Sequence, residues 1–306
     1  MEWNEATCYL NGQWQPLAKA TISVLDRGFI FGDGVYEVVP VDTVDGVRAP
    51  FRAGPHFERL QRSCDCIGLA NPLSTEQWLD LLDDVVERHP WPRQSVYIQL
   101  TRGVAKRDHA FPAGVTPTVF VNTSPWPAIP AEQIDDGIAC VTHADERWLH
   151  CDIKSISLLG NVLMKQHAVD NGAFETVMLR DGFLTEASSA NVMVVKGGRL
   201  AAPAKSVQIL PGITCDAAYD LAREHGLPLE LRPIPESELR SADELWLSSS
   251  GREVLAITTL DGKPVGSGRP GPLYAKLREW FHAAKRAEAQ RWLQRRAART
   301  ATAVAA

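Results

Sequence analysis

Lys154 stands in Trp148-Leu-His-Cys-Asp-Ile-Lys-Ser-Ile-Ser-Leu-Leu-Gly-Asn161, a largely apolar stretch just ahead of a helix-like pattern. Withdrawal from water lowers a lysine's pKa and makes its amine a nucleophile able to form a Schiff base with a carbonyl. Taken alone, a lysine snorkelling from a half-buried turn is the commoner explanation. Its company changes the balance. Asp-Ile-Lys-Ser-x-x-x-Leu-Gly-Asn is followed further along by Leu184-Thr-Glu-Ala-Ser-Ser-Ala-Asn191, which adds a carboxylate, Glu186, and two hydroxyls, Ser188 and Ser189. A third stretch, Thr101-Arg-Gly-Val-Ala-Lys-Arg-Asp-His-Ala-Phe-Pro112, gathers Arg107 and His109. A guanidinium can give a carboxylate two parallel charge-assisted bonds, although such a composition is also common in polar surface loops.

The elements that must position these groups follow from periodicity. From Thr7 to Phe51 short apolar runs alternate with turn signals such as Asn11-Gly12 and Gly32-Asp33-Gly34, which predicts a meander of strands. Pro40 inside it predicts a sheet edge or bulge. Helical spacing of apolar residues predicts helices over 54–69 and 75–86, and strands over 95–101 and 117–121 complete an α+β domain at residues 1–122. Three prolines mark 123–133 as a stiff linker. A larger domain is expected at 134–285, strand-rich with flanking helices, and then a basic, Ala-rich helical tail at 286–306, peripheral and frayed. A chain of 306 residues suits two such lobes.

With 45% hydrophobic and 23% charged residues, the composition is that of an ordinary globular protein. A net charge of -5 argues against a nucleic-acid partner. The N-terminal stretch has neither the order of a signal peptide nor a membrane-spanning run, and six scattered cysteines read as reduced thiols, so a cytoplasmic location is expected.

The pairing of the Lys154 and Glu186 segments resembles the fold type IV, or class IV, aminotransferases, which depend on pyridoxal 5'-phosphate. The similarity extends from about Tyr9 to about Phe281. It implies the fold expected above, a small N-terminal α+β lobe and a larger strand-rich C-terminal lobe, and it assigns roles. Lys154 would hold the cofactor as a Schiff base and, once displaced, move the substrate proton. Glu186 would keep the pyridine nitrogen protonated, as an electron sink requires. Ser188 and Ser189 would line the ring and its phosphate side. Arg59 in His56-Phe-Glu-Arg-Leu60, Ile213 and Thr214 after Leu210-Pro-Gly212, and Ser249 with Ser250 would hold the phosphate. Each has a plain alternative: a salt-bridge arginine, an ordinary N-cap, an ordinary turn. Gly251-Arg252 departs from the family, where another hydroxyl residue is frequent.

Asp26-Arg-Gly-Phe-x-Phe-Gly-Asp-Gly-Val-Tyr-Glu37 resembles the family's N-terminal signature and places Tyr36 at the substrate. Arg107 and His109 match the pair with which the D-amino-acid transaminases of this family grip the α-carboxylate. Because the lysine delivers its proton from a fixed side, a trap there implies D-substrates, with D-alanine and 2-oxoglutarate the expected pair. Arg102 is expected to be structural. The branched-chain L-aminotransferases, (R)-selective amine transaminases and aminodeoxychorismate lyases have no need of Arg107-x-His109, and a silent cofactor carrier has no need of Lys154. Small-molecule substrates and a homodimer are the partners implied.

Overall fold

The structure, a computed structural model, describes residues 6–305, so Met1–Glu5 of the expected first domain and Ala306 of the expected tail lie outside the described residues. The chain divides into two compact units: one runs up to Pro127 and includes Ile153–Ser157 and the chain from Ala284 on, the other comprises Ala128–Asp152 and Leu158–Ala283.

The first unit holds strands β1 (Thr7–Leu10), β2 (Gln13–Pro16), β3 (Gly34–Val44), β4 (Val47–Pro50), β5 (Arg93–Thr101) and β6 (Thr118–Pro125), with helices α1 (Arg27–Phe31), α2 (Ala53–Cys66) and α3 (Thr75–Glu87). The strands form one sheet in the order β2-β1-β6-β5-β3-β4, every pairing antiparallel. Along β3 the period of two buries Val35, Glu37, Val39 and Val41. Against that face pack Phe57, Leu60 and Cys64 of α2 and Trp78, Leu82 and Val85 of α3. A capping box between Ser74 and Gln77 starts α3.

Pro40 pairs with Ser95 on one side, while on the other β4 joins only from Val41 onward. The proline therefore sits where that side of β3 is still an edge, as its missing N–H demands. Further back along the same side a short segment takes over: Tyr36 N–H donates to the carbonyl of Lys154, and Ile156 N–H to that of Gly34. That is why residues 153–157 group with this unit.

The second unit contains helices α4 (Ala131–Asp135), α5 (Leu159–Asp170), α6 (Ile213–Glu224) and α7 (Glu236–Arg240), and strands β7 (Ile138–Ala144), β8 (Glu175–Arg180), β9 (Phe183–Ala187), β10 (Asn191–Lys196), β11 (Arg199–Ala202), β12 (Leu229–Leu231), β13 (Glu244–Ser249), β14 (Glu253–Leu260) and β15 (Lys263–Pro264). Its nine-stranded sheet runs β12-β11-β10-β13-β14-β7-β8-β9, with β15 on β14. The β14–β7, β7–β8 and β11–β12 pairs are parallel. Leu245, Leu247, Leu255, Ile257 and Ile234 fill its core.

Two stretches differ from the sequence-based picture. The segment expected as a linker is partly regular, because β6 continues to Pro125 and α4 starts at Ala131. The last helix, α8, runs unbroken over Pro272–Ala305, so the region expected as a frayed, peripheral tail is the end of one long helix. From Ala284 on it belongs to the first unit. Ala289 and Trp292 enter that unit's core, Trp292 Nε1 donates to Asp83 at 3.3 Å, and Arg295, Arg296 and Arg299 pair with Asp80, Asp83 and Asp84 of α3. Cationic and acidic faces that look solvated in isolation here cover each other.

All six cysteines are unpaired; Cys66 is exposed and the others are buried. Burial pushes Cys64 and Cys215 up to about 12 and Cys151 up to about 11. No helix among the described residues is long and apolar enough to cross a membrane.

Candidate active site

In the first unit, β3 and the segment hydrogen-bonded to it set Lys154. Its Nζ lies 4.2 Å from the centroid of the Tyr36 ring, which stacks in turn on Tyr97 at 5.7 Å. The Lys154 N–H donates to Ser63 Oγ at 3.2 Å, so α2 also fixes the lysine's main chain. Among the described residues the amine makes no hydrogen bond or ion pair. The contact with the ring face spends none of the nitrogen's hydrogen-bonding capacity, so the amine is left without a competing partner.

Arg59 is buried on α2, and Glu37 occupies it: Nε donates to Oε1 at 2.7 Å and Nη2 to Oε2 at 2.9 Å. His56, one turn earlier, donates from Nδ1 to the same carboxylate at 2.7 Å. Burial alone would raise Glu37, yet the charges of Arg59 and His56 hold it far below the usual carboxylate range. The arginine expected at a phosphate thus has one edge of its guanidinium fixed by a carboxylate. Glu37 had a signal in the sequence: it occupies a buried parity of β3, where a carboxylate requires a cation.

Arg107 and His109 lie on an exposed loop, both beside Phe31: the guanidinium is 5.3 Å from that ring's centroid and the imidazole 5.4 Å. The structure therefore gathers Tyr36 with Lys154 and Arg107 with His109. No hydrogen bond or ring contact links the two pairs among the described residues.

In the second unit, Glu186 ends β9 with both carboxylate oxygens engaged. Arg147 Nη1 donates to Oε1 at 2.7 Å, while Asn191 Nδ2 and the Leu210 N–H donate to Oε2 at 3.1 and 3.0 Å. Burial pushes Glu186 up to about 7 against the charge and bond of Arg147. All its hydrogen-bond partners are donors and serve the ionised form, against burial and the nearby Asp145 charge, which favour the protonated one. Arg147 is itself held by Asp145 through Nε and Nη2, both at 2.9 Å. Neither Arg147 nor Asp145 was expected from the sequence, because Asp145-Glu-Arg147 reads as a solvated charge run; the signal was its position at the end of an apolar strand.

Gly212 precedes α6, and a Cβ there would lie 1.9 Å from Asn191 Oδ1, displacing the amide that donates to Glu186 and to the Leu210 carbonyl. No side chain caps α6, and the N–H groups of its first turn, at Ile213 and Thr214, stay available. The Ser249 and Ser250 hydroxyls, at the end of β13, likewise make no hydrogen bond among the described residues. Ser188 and Ser189 differ: both hydroxyls donate to the buried Glu175. Glu186, Ile213, Thr214, Ser188, Ser189, Ser249 and Ser250 are thus residues of the second unit, and Lys154, Tyr36, Arg59, Arg107 and His109 of the first.

The architecture is that of known aminotransferase structures. The branched-chain amino acid aminotransferase of Escherichia coli superposes with a TM-score of 0.86 at 24% identity, covering 91% of this chain and 94% of that one. The T.th. branched-chain amino acid aminotransferase with pyridoxamine 5'-phosphate gives 0.87 at 25%, covering 92% and 95%. Residues 34–260 match the model of Amino-transferase class IV, and the chain belongs to that family. By sequence it is similar to the D-alanine aminotransferase of Bacillus licheniformis, 38% identical over 263 residues, 86% of this chain and 91% of the relative. The D-alanine aminotransferase of Staphylococcus aureus (strain MW2) is 38% identical over 274 residues, 89% and 95%.

Proposed function

We propose that this aminotransferase moves the amino group between D-amino acids and 2-oxo acids, with pyridoxal 5'-phosphate as cofactor and D-alanine with 2-oxoglutarate as the preferred pair. The carrying observation is the presence of Arg107 and His109 together on one loop beside Phe31 in a chain that resembles D-alanine aminotransferases over most of its length.

Each unit holds groups suited to such a cofactor: the first an unpaired amine at Lys154, the second a buried carboxylate at Glu186, an uncapped helix start at Ile213 and Thr214, and hydroxyls at Ser249 and Ser250. Arg59 would add charge for the phosphate while Glu37 holds its orientation. When bound, the cofactor supplies the carbonyl that exchanges for an amine and the ring that accepts electrons. Lys154 Nζ takes the proton from the substrate Cα and returns one to the other reacting carbon. Glu186, ionised and steadied by Arg147, holds a proton at the ring nitrogen. Arg107 fixes the α-carboxylate by two parallel bonds, with His109 and Tyr36 beside it.

Titrating the cofactor-loaded protein separately with D-alanine, L-leucine and (R)-1-phenylethylamine, while following the cofactor absorbance, tests this. The proposal expects a fast response to D-alanine alone; faster reaction of L-leucine moves the assignment to branched-chain L-amino acids. Lys154→Ala should abolish turnover while cofactor binding partly survives, and wild-type turnover in that variant would end the mechanism.

The active form is a homodimer and the location cytoplasmic. Support for the dimer comes from α5, where Leu159, Val162 and Leu163 share one face and are 71%, 58% and 57% exposed. Sedimentation equilibrium should give twice the chain mass, and Leu163→Glu should lower it toward one chain; a wild-type monomer at micromolar concentration refutes the dimer. The unpaired cysteines are in keeping with a reducing compartment.

A further inference from the structure

The loop from Val104 to Phe111 has an exposed main course, yet three of its carbonyls converge on one buried cation. Arg27 is 3% exposed at the start of α1. Its Nη1 donates to the Asp108 carbonyl at 2.6 Å and to that of Ala110 at 3.4 Å, and Nη2 to that of His109 at 3.5 Å. The first bond is short and charge-assisted, and the other two are long. The remaining edge belongs to Asp33, whose Oδ2 accepts from Arg27 Nε at 2.7 Å.

Asp33 also holds Arg102, through Nε at 2.8 Å and Nη2 at 3.0 Å. Arg102 in turn donates to the carbonyls of Ile67 and Gly68, at 2.8 and 2.9 Å, and lies 3.7 Å over the ring of Phe111. One carboxylate thus orients two guanidiniums that hold both ends of the stretch from Asp108 to Phe111. The loop's root is fixed as well. Arg27 N–H donates to the Gly103 carbonyl, Ala105 N–H to that of Leu25, and a Cβ on Gly103, at φ +97°, would meet Thr116 O at 2.1 Å.

We infer that Arg27, Asp33 and Arg102 form a clamp that presets the loop carrying Arg107 and His109, and so act as positioning residues for carboxylate-bearing substrates. The inference rests on the assignment of Arg107 and His109 under the proposed function. Arg27 grips the main chain of His109 and of its neighbours on both sides, so its loss displaces the groups that meet substrate, not a distant surface. A displaced carboxylate grip weakens substrate and transition state alike, so the loss appears in KM and leaves kcat nearly unchanged. Lysine cannot replace Arg27, because a single ammonium lacks the fork that reaches Asp33 and the loop carbonyls together.

The test compares the cofactor-loaded wild type with Arg27→Lys, Asp33→Asn and Arg107→Gln. Two readouts are taken: the rate of tryptic cleavage after Lys106 and Arg107, followed by mass spectrometry, and the separate kcat and KM for D-alanine. In Arg27→Lys and Asp33→Asn, loop cleavage should accelerate about tenfold while cleavage elsewhere keeps its wild-type rate. The KM for D-alanine should rise about tenfold, with kcat and cofactor half-saturation within about twofold of wild type. Wild-type loop cleavage in both variants, or a fall in kcat with KM unchanged, overturns the clamp. Arg27→Lys keeps charge and burial and carries the test alone if Asp33→Asn does not fold. An unchanged KM in Arg107→Gln refutes the carboxylate assignment separately, and the cleavage rates then still decide whether the clamp sets the loop.

Discussion

Glu186 shows how a single side chain can be pulled in two directions. Burial pushes its carboxyl up to about 7, and Arg147 favours the ionised form. Removing the guanidinium leaves burial less opposed, so the pKa rises further and less of the carboxylate is ionised at neutral pH. Arg147→Met should therefore move the acid limb of the kcat/KM profile to higher pH, and activity at pH 7 should fall about tenfold for every pH unit the limb moves. An acid limb at the wild-type position would refute the role given to Arg147. Breaking so buried a pair should also cost about 3 kcal/mol of stability. Because the folded-state pKa is raised, protonated Glu186 contributes stability below its ordinary 4.5 that is lost as pH rises through about 7. At this scale the sequence singled out a residue where a motif surrounded it, as for Lys154 and Glu186. It was mute where a partner came from elsewhere in the chain: nothing local tells that Arg147 meets Glu186, or that Asp33 holds Arg27 and Arg102.

Among the elements, α8 depends most on distant contacts. Trp292 is buried among first-unit side chains and bonded to Asp83, so Trp292→Ala opens a cavity and loses a hydrogen bond. A loss of about 3 to 5 kcal/mol in unfolding free energy is expected, measured by urea denaturation; less than about 1 kcal/mol would mean the helix end contributes little. Helices α2 and α3 were legible because their apolar residues recur at helical spacing over a buried face. The end of α8 was not, since its Ala-rich and Arg-rich composition gains a partner only in the acidic face of α3, far away in sequence. The expected linker at 123–133 contains the division between the units, after Pro127, but is shorter than its prolines suggest: Pro125 ends β6 beyond the two residues that pair with β1, so no second ladder needs its N–H. A proline count registers the prolines without showing which sides of the strand are paired.

At the scale of the molecule, the two-lobe α+β architecture expected from the sequence is the one shared with aminotransferases of known structure. The grouping of Ile153–Ser157 and the end of α8 with the first unit was beyond a linear reading, because contacts, not chain order, define a unit. The thiols offer a way to watch these units separately. Cys66 is exposed, Cys8 and Cys64 are buried in the first unit, and Cys140, Cys151 and Cys215 in the second. An alkylating reagent added to the native protein should modify Cys66 alone, and each further label then dates the opening of the unit that hides it. Under mild urea, mass-resolved labelling should show whether the two sets of thiols appear together, as one cooperative transition, or in sequence, so that wild-type cysteines alone serve as a clock for unfolding.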